Sequence, residues 1–188
     1  MSIINVVGAK IWGGGEQYVY DICKQLQQRH RTAYILVDQS NEDMQSRYAQ
    51  VGHVMTANLY TLKGFLSVNA VAKQMKEQGI NTIVCHSGKY ILFCIALKQL
   101  TGAKLVFIKH NLVPGKTDIY HRWINEQVDA FVCVSKLVYD DLMTPAIKDT
   151  SKYHVVYNGI DPNRFQSFSE AVPMKYKVRS FGYRARIT

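Results

Sequence analysis

Four groups of residues in this chain carry side chains or bare backbone suited to an anionic or hydroxyl-rich ligand. They are Gly13-Gly14-Gly15-Glu16, His86-Ser87-Gly88-Lys89, His110-Asn111 and Ser135. Three consecutive glycines before a stretch of helical spacing leave main-chain N–H groups open at a helix start, where the helix dipole favours negative charge. Without side chains, a phosphate or a sugar can approach the main chain closely. A tight strand-to-helix turn without a ligand would also use glycine. Glu16 falls in the first helical turn, where stabilisation of a carboxylate by the same dipole explains it by default. His110 is either a polar contact to substrate or a hydrogen-bonded structural histidine. Lys89 neutralises a phosphate or is a solvated lysine. Ser135 caps the next helix or touches a ligand. No serine–histidine–acid arrangement and no metal-ligand spacing stands out, so no metal site is expected.

These residues need elements to bring them together, and the pattern supplies them. Short apolar strands are expected at Ile3–Gly8, Ala33–Val37, His53–Met55, Thr82–Cys85, Lys104–Ile108, Ala130–Val134 and His154–Tyr157. Helical periodicity falls between them, at Tyr18–Leu26, Leu66–Gln78, Tyr90–Leu100 and Ile119–Gln127, with another helix after Ser135. Gly79 and Gly102 mark helix ends. Strands that are continuous apolar runs belong to parallel sheets covered on both faces. The expected fold is α/β, a Rossmann-like doubly wound parallel sheet. In such sheets ligands bind beyond the carboxyl ends of the strands, where all four groups fall. Asp38 ends the second strand, where a dinucleotide-binding protein holds a ribose, so a nicotinamide-dinucleotide-binding Rossmann domain is a competing reading. The glycines are not a G-x-G-x-x-G fingerprint, because none follows Gly8 until Gly13.

Composition bounds the remainder. The chain has 188 residues, 47% of them hydrophobic, and a formal net charge of +9. That charge favours anionic partners, whether nucleic acid, acidic lipid headgroups or phosphorylated small molecules, and generic solubility is the plainer explanation. The basic residues form no dense run, and no nucleic-acid partner is expected. Cys23, Cys85, Cys94 and Cys133 form no C-x-x-C pair and read as reduced core cysteines. No apolar run reaches the length of a membrane span, and no basic segment followed by an apolar one opens the chain. A cytoplasmic protein is expected, with peripheral contact at the inner face of the membrane.

The motifs resemble those of family 4 glycosyltransferases of the two-domain GT-B fold. Gly13-Gly14-Gly15-Glu16 resembles the family's G-G-x-E, and Cys85-His86-Ser87-Gly88-Lys89 its H-x-H-S-x-K segment. Ile108-Lys109-His110-Asn111 is similar to its strand-end T-x-H. Val128–Ser135 is similar to its D-x-[apolar]-V-S strand, and Val156–Phe165 to its V-x-N-G-[IV]-D…F. The resemblance implies an N-terminal, acceptor-side domain over residues 1–165, in an enzyme that transfers a sugar with retention from a nucleotide-sugar donor to a glycan or lipid-linked acceptor, as in cell-envelope polysaccharide biosynthesis. It implies that the glycine loop faces the donor's phosphates, that His110 is the catalytic residue touching the transferred sugar, and that Glu16, His86, Ser87, Lys89, Asn111 and Ser135 meet acceptor or phosphate. Asn158, Gly159 and Asp161 would form the interdomain hinge, and no cofactor is needed beyond the donor. Residues 166–188 would be linker and the first strand of a donor domain, Ser180–Thr188 resembling G-x-x-G-R with Ala185 where glycine is usual. The family's nucleotide pocket, basic pair and E-x7-E segment are absent from these residues. The polypeptide alone is therefore expected to be inactive, and a non-catalytic truncated interaction module is the third reading.

Overall fold

The structure, a computed structural model, describes residues 2–60, 64–116, 118–143, 147 and 149–159, with the Phe65 side chain excepted. Asp161, the linker and the expected strand at 178–183 lie outside the described residues.

The described elements alternate as the sequence pattern requires. They run β1 (Ile3–Val7), α1 (Gly14–Gln28), β2 (Tyr34–Asp38), α2 (Glu42–Tyr48), β3 (His53–Ala57), α3 (Gly64–Glu77) and β4 (Thr82–Cys85). A 3-10 turn (Gly88–Tyr90) leads into α4 (Ile91–Thr101), followed by β5 (Lys104–Lys109), α5 (Ile119–Gln127), β6 (Ala130–Cys133), α6 (Lys136–Leu142) and β7 (Tyr153–Val155). All seven strands are parallel, in the order β3-β2-β1-β4-β5-β6-β7. This is the doubly wound arrangement expected from the sequence. All of these elements belong to the unit Met1–Asn158.

Two apolar layers cover the sheet. Alternate residues of β1 point to opposite faces, as strand geometry demands. Ile4 and Val6 join the larger cluster, with Val71 and Met75 of α3 and Phe93, Cys94 and Leu97 of α4. Val7 joins the other, with Val19 and Cys23 of α1 and Met44 and Tyr48 of α2. Asn5 is buried in β1, between Ile35 of β2 and Val84 of β4 in register. All four cysteines are free and buried, and burial pushes the Cys23 thiol up to about 12.

Three details differ from the sequence pattern. The sequence reading has no element where α2 stands, because a seven-residue helix buries only Met44 and Tyr48; Asn41 caps it, its Oδ1 accepting from the Met44 amide at 3.1 Å. The apolar α4 is not enclosed on all sides, since Leu92 and Leu100 remain exposed. The last strand starts one residue early, at Tyr153, and its regular pairing stops at Val155, with Val156 N–H still donating to the Cys133 carbonyl at 3.0 Å. Gly79 and Gly102 take left-handed backbone at φ 62° and 72°, ending α3 and α4 where a β-carbon would be strained.

Candidate functional site

The strand order reverses direction between β1 and β4, and the crevice outside their carboxyl ends is the expected ligand position in such sheets. The glycine loop leaves β1 and His86 follows β4, so both stand at this switch point. The loop is held from behind by α2 and its cap. Asn41 Nδ2 donates to the Ala9 carbonyl at 3.0 Å, and the Tyr48 hydroxyl donates to the Glu16 carbonyl at 3.0 Å. Trp12 lies against Tyr48 with ring centres 5.3 Å apart, and the Arg47 guanidinium lies 4.9 Å from the Trp12 ring centre.

Gly13 is the N-cap of α1. Its N–H donates to Glu16 Oε2 at 3.0 Å, and its carbonyl accepts the Gln17 amide at 3.0 Å. The amides of Gly14, Gly15 and Glu16 have no intrahelical acceptor, as at any helix start. The fold itself gives little reason for glycine here. None of the three has positive φ. A β-carbon on Gly14 would meet nothing within 4 Å, and one on Gly15 would have His110 Cδ2 as its nearest contact, at 4.0 Å. Only at Gly13 would a β-carbon be tight, 3.2 Å from the Glu16 carboxylate. Glu16 is thus occupied in closing the first turn of its own helix.

His110 leaves β5 and stands beside this helix start. Its Nε2 lies 3.1 Å from Nδ1 of His86, and Nε2 of His86 lies 3.1 Å from Asn5 Oδ1. The Tyr18 ring of α1 packs edge-on to His110 at 5.2 Å and to His86 at 6.2 Å between ring centres. Burial lowers the pKa of His110, and burial with the neighbouring His110 lowers that of His86 to about 3. Burial raises that of Tyr18. At neutral pH both imidazoles are therefore uncharged, each with one N–H and one lone pair.

A cavity of about 360 Å³ opens beside the pair. His86, Ser87, His110 and Asn111 border it, with Ile91, Ile108, Ile124 and Phe131 among its apolar walls. Of the residues singled out in the sequence, these four and Gly88 are brought to one cavity, and Gly15 is tied to them through His110. Lys89 is exposed and lies off the cavity wall. Ser87 Oγ accepts the Lys89 amide at 3.3 Å, and Ser135 Oγ accepts the Val138 amide at 3.2 Å, the helix-capping role. Asn158 and Gly159 are exposed beyond β7. Sequence reasoning missed Asn5 and Tyr18. The signal for Asn5 was available: a lone amide inside an apolar strand needs a buried partner.

A seven-stranded parallel sheet wound on both faces, with a glycine loop and a strand-end histidine at its switch point, defines a Rossmann-like α/β domain. The Glycosyltransferase Family 4 profile matches residues 12–164, and the chain belongs to that family. Among solved structures, a glycosyltransferase from Rickettsia africae superposes with a TM-score of 0.73 at 18% identity, over 85% of this chain and 43% of its own. HepE from Anabaena, in complex with UDP-glucose, gives 0.67 at 19%, over 87% and 45%. The lipopolysaccharide outer core galactosyltransferase WaaB gives 0.60 at 14%, over 86% and 46%. At these identities the likeness is one of fold, and the chain spans less than half the length of each. No curated protein matches it.

Proposed function

We propose that this chain is the acceptor-side domain of a retaining glycosyltransferase, which moves a sugar from a nucleotide-sugar donor to a glycan or lipid-linked acceptor. The observation that carries the reading is the meeting of Gly15 and His110 beside a cavity. In such a transfer the diphosphate leaving group gains negative charge as the glycosidic bond breaks. Preorganised N–H groups aimed at that charge stabilise it most in the transition state. The bare amides of Gly14 and Gly15 supply this at the helix start, and His110 lies within reach of a sugar placed next to them. The HepE complex with UDP-glucose shows that a protein of this fold accepts such a donor. The acceptor occupies the cavity, whose histidines and Asn111 meet hydroxyl groups and whose Ile and Phe walls cover an apolar portion.

Amides and cations stand in for a metal in this reading, so a chelator leaves transfer unchanged. Residues 1–188 alone bind substrate without turning it over, consistent with a chain that covers less than half of the Rickettsia africae glycosyltransferase. The protein acts in the cytoplasm, at the inner face of the membrane. No helix among the described residues is long and apolar enough to cross it, and the positive net charge favours anionic lipid. Unchanged partitioning with anionic vesicles at low salt would remove the membrane clause.

The experiment is an amide NMR titration of the 188-residue chain with millimolar UDP-glucose, followed by a turnover assay with the same chain. Shifts at Gly14, Gly15 and His110 without product are expected. Unmoved glycine amides would refute donor contact, and product would refute the need for a partner domain.

A further inference from the structure

Asn5, His86 and His110 are joined end to end by two contacts of 3.1 Å. A chain of neutral imidazoles has only two polarities, since each ring has a single proton to give. Asn5 distinguishes them. Its amide nitrogen is turned toward Cys23 Sγ at 3.8 Å, which leaves Oδ1 facing the ring of His86. A carbonyl oxygen accepts, so His86 carries its proton on Nε2. Its Nδ1 is then a lone pair, and His110 must donate from Nε2. The proton of His110 is thereby used up, and its Nδ1, which has no hydrogen-bond partner among the described residues, holds a lone pair. Tyr18, packed on both rings, resists rotation of either imidazole.

We propose that Asn5 and His86 are positioning residues which fix the tautomer of His110, so that it meets a ligand through Nδ1 as a hydrogen-bond acceptor. Resting on the transferase reading, this makes the sugar hydroxyl at His110 the donor of that bond. An inverted chain would make His110 the donor and select a different partner atom. The assignment reaches from the middle of β1, where no ligand touches, to the strand end where one would.

The tautomers are read directly from long-range nitrogen–proton correlations of the imidazoles in the ligand-free chain. The result is therefore independent of whether the protein transfers a sugar. Wild type is expected to show both His86 and His110 protonated at Nε2 only. Asn5→Asp, whose carboxylate can only accept, keeps the His110 pattern. Asn5→Leu removes the anchor and shifts the His110 nitrogens toward the exchange-averaged position of a free imidazole. Protonation of His110 at Nδ1 in wild type overturns the proposal. So does an unchanged His110 pattern in folded Asn5→Leu. Should that variant fail to fold, His86→Leu asks the same question at the less buried middle link, with the same overturning result.

Discussion

Gly15 and His110 are neighbours across the mouth of the sheet: a β-carbon on Gly15 would lie 4.0 Å from His110 Cδ2, in ordinary van der Waals contact. The fold therefore accepts alanine there, while a ligand lying on the backbone does not. Gly15→Ala, with helical φ and room for the methyl group, is expected to leave stability unchanged or raise it by up to about 1 kcal/mol. Donor affinity falls by about tenfold, or about 1.4 kcal/mol, as the methyl group covers the amide. Thermal unfolding and donor titration check the two halves separately. A destabilised variant with intact binding would assign the glycine to the turn instead.

The histidine pair makes acid stability diagnostic. His86 titrates near 6.5 when unfolded and at about 3 when folded, lowered by burial and by His110. The unfolded chain therefore takes the proton first. The stability tied to a neutral His86 is complete above pH 6.5 and is lost as pH falls toward 3, by up to about 1.4 kcal/mol per pH unit. His110, also lowered by burial, acts in the same direction. Burial raises the carboxyl pKa of Asp38, but hydrogen bonds from Ser40 and Leu59 outweigh it and leave the net value low. Its share is lost at lower pH, as the carboxylate protonates. Urea midpoints between pH 7 and 5 should fall in wild type and fall less steeply in His86→Gln. A flat wild-type profile would contradict the partly buried neutral pair.

The strands and most helices were legible because apolar runs and glycine stops carry strong local signals, as at Thr82–Cys85 before His86 and at Gly102 after α4. The convergence of Gly13–Gly15, His86 and His110 followed from the doubly wound topology, since strand ends in such a sheet share one edge. The contact between His86 and His110 was not legible, because it depends on β4 and β5 being adjacent and on the rotamers of two side chains. The helix α2 escaped because Glu42–Tyr48 is mostly polar. Yet this short helix holds the glycine loop, through Asn41, Arg47 and Tyr48. Lys89 and Ser135 matched family spacing, but only Ser135 has an evident structural job in the described residues, capping α6.

Asp129, just before β6, is a junction between α4 and β5. Its Oδ2 accepts from Lys98 Nζ of α4 at 2.7 Å and from the Leu105 amide of β5 at 2.8 Å, while Lys104 approaches Oδ1 at 3.4 Å. Asp129→Ala strips the Leu105 amide of its acceptor in a partly buried setting, which costs about 1–3 kcal/mol. Asp129→Asn, whose amide oxygen can still accept from Leu105, should recover part of that loss. Donor binding should be unaffected in both, since the junction stands at the opposite end of β5 from His110. Equal destabilisation by the two variants would mean that the lysine charges, and not the amide, dominate.

The nicotinamide reading makes Asp38 the ribose-binding carboxylate at the end of β2. In the structure that carboxylate is buried and already employed. Oδ1 accepts from the Ser40 amide at 3.0 Å and from the Ser40 hydroxyl, and Oδ2 accepts from the Leu59 amide at 2.9 Å. A ribose would have to displace a bond that ties the segment following β3 to the end of β2, leaving an orphaned amide. NADH fluorescence is accordingly expected to stay unchanged when the protein is added, with neither enhancement nor a blue shift. Asp38→Asn should lower the unfolding temperature without altering that null titration, because an amide cannot accept on both sides as the carboxylate does. Enhanced NADH emission with wild type, abolished in Asp38→Asn at a temperature where the variant is folded, would reinstate the dinucleotide reading. It would also mean that the Leu59 bond opens on binding, a change visible as lost protection of that one amide in hydrogen exchange.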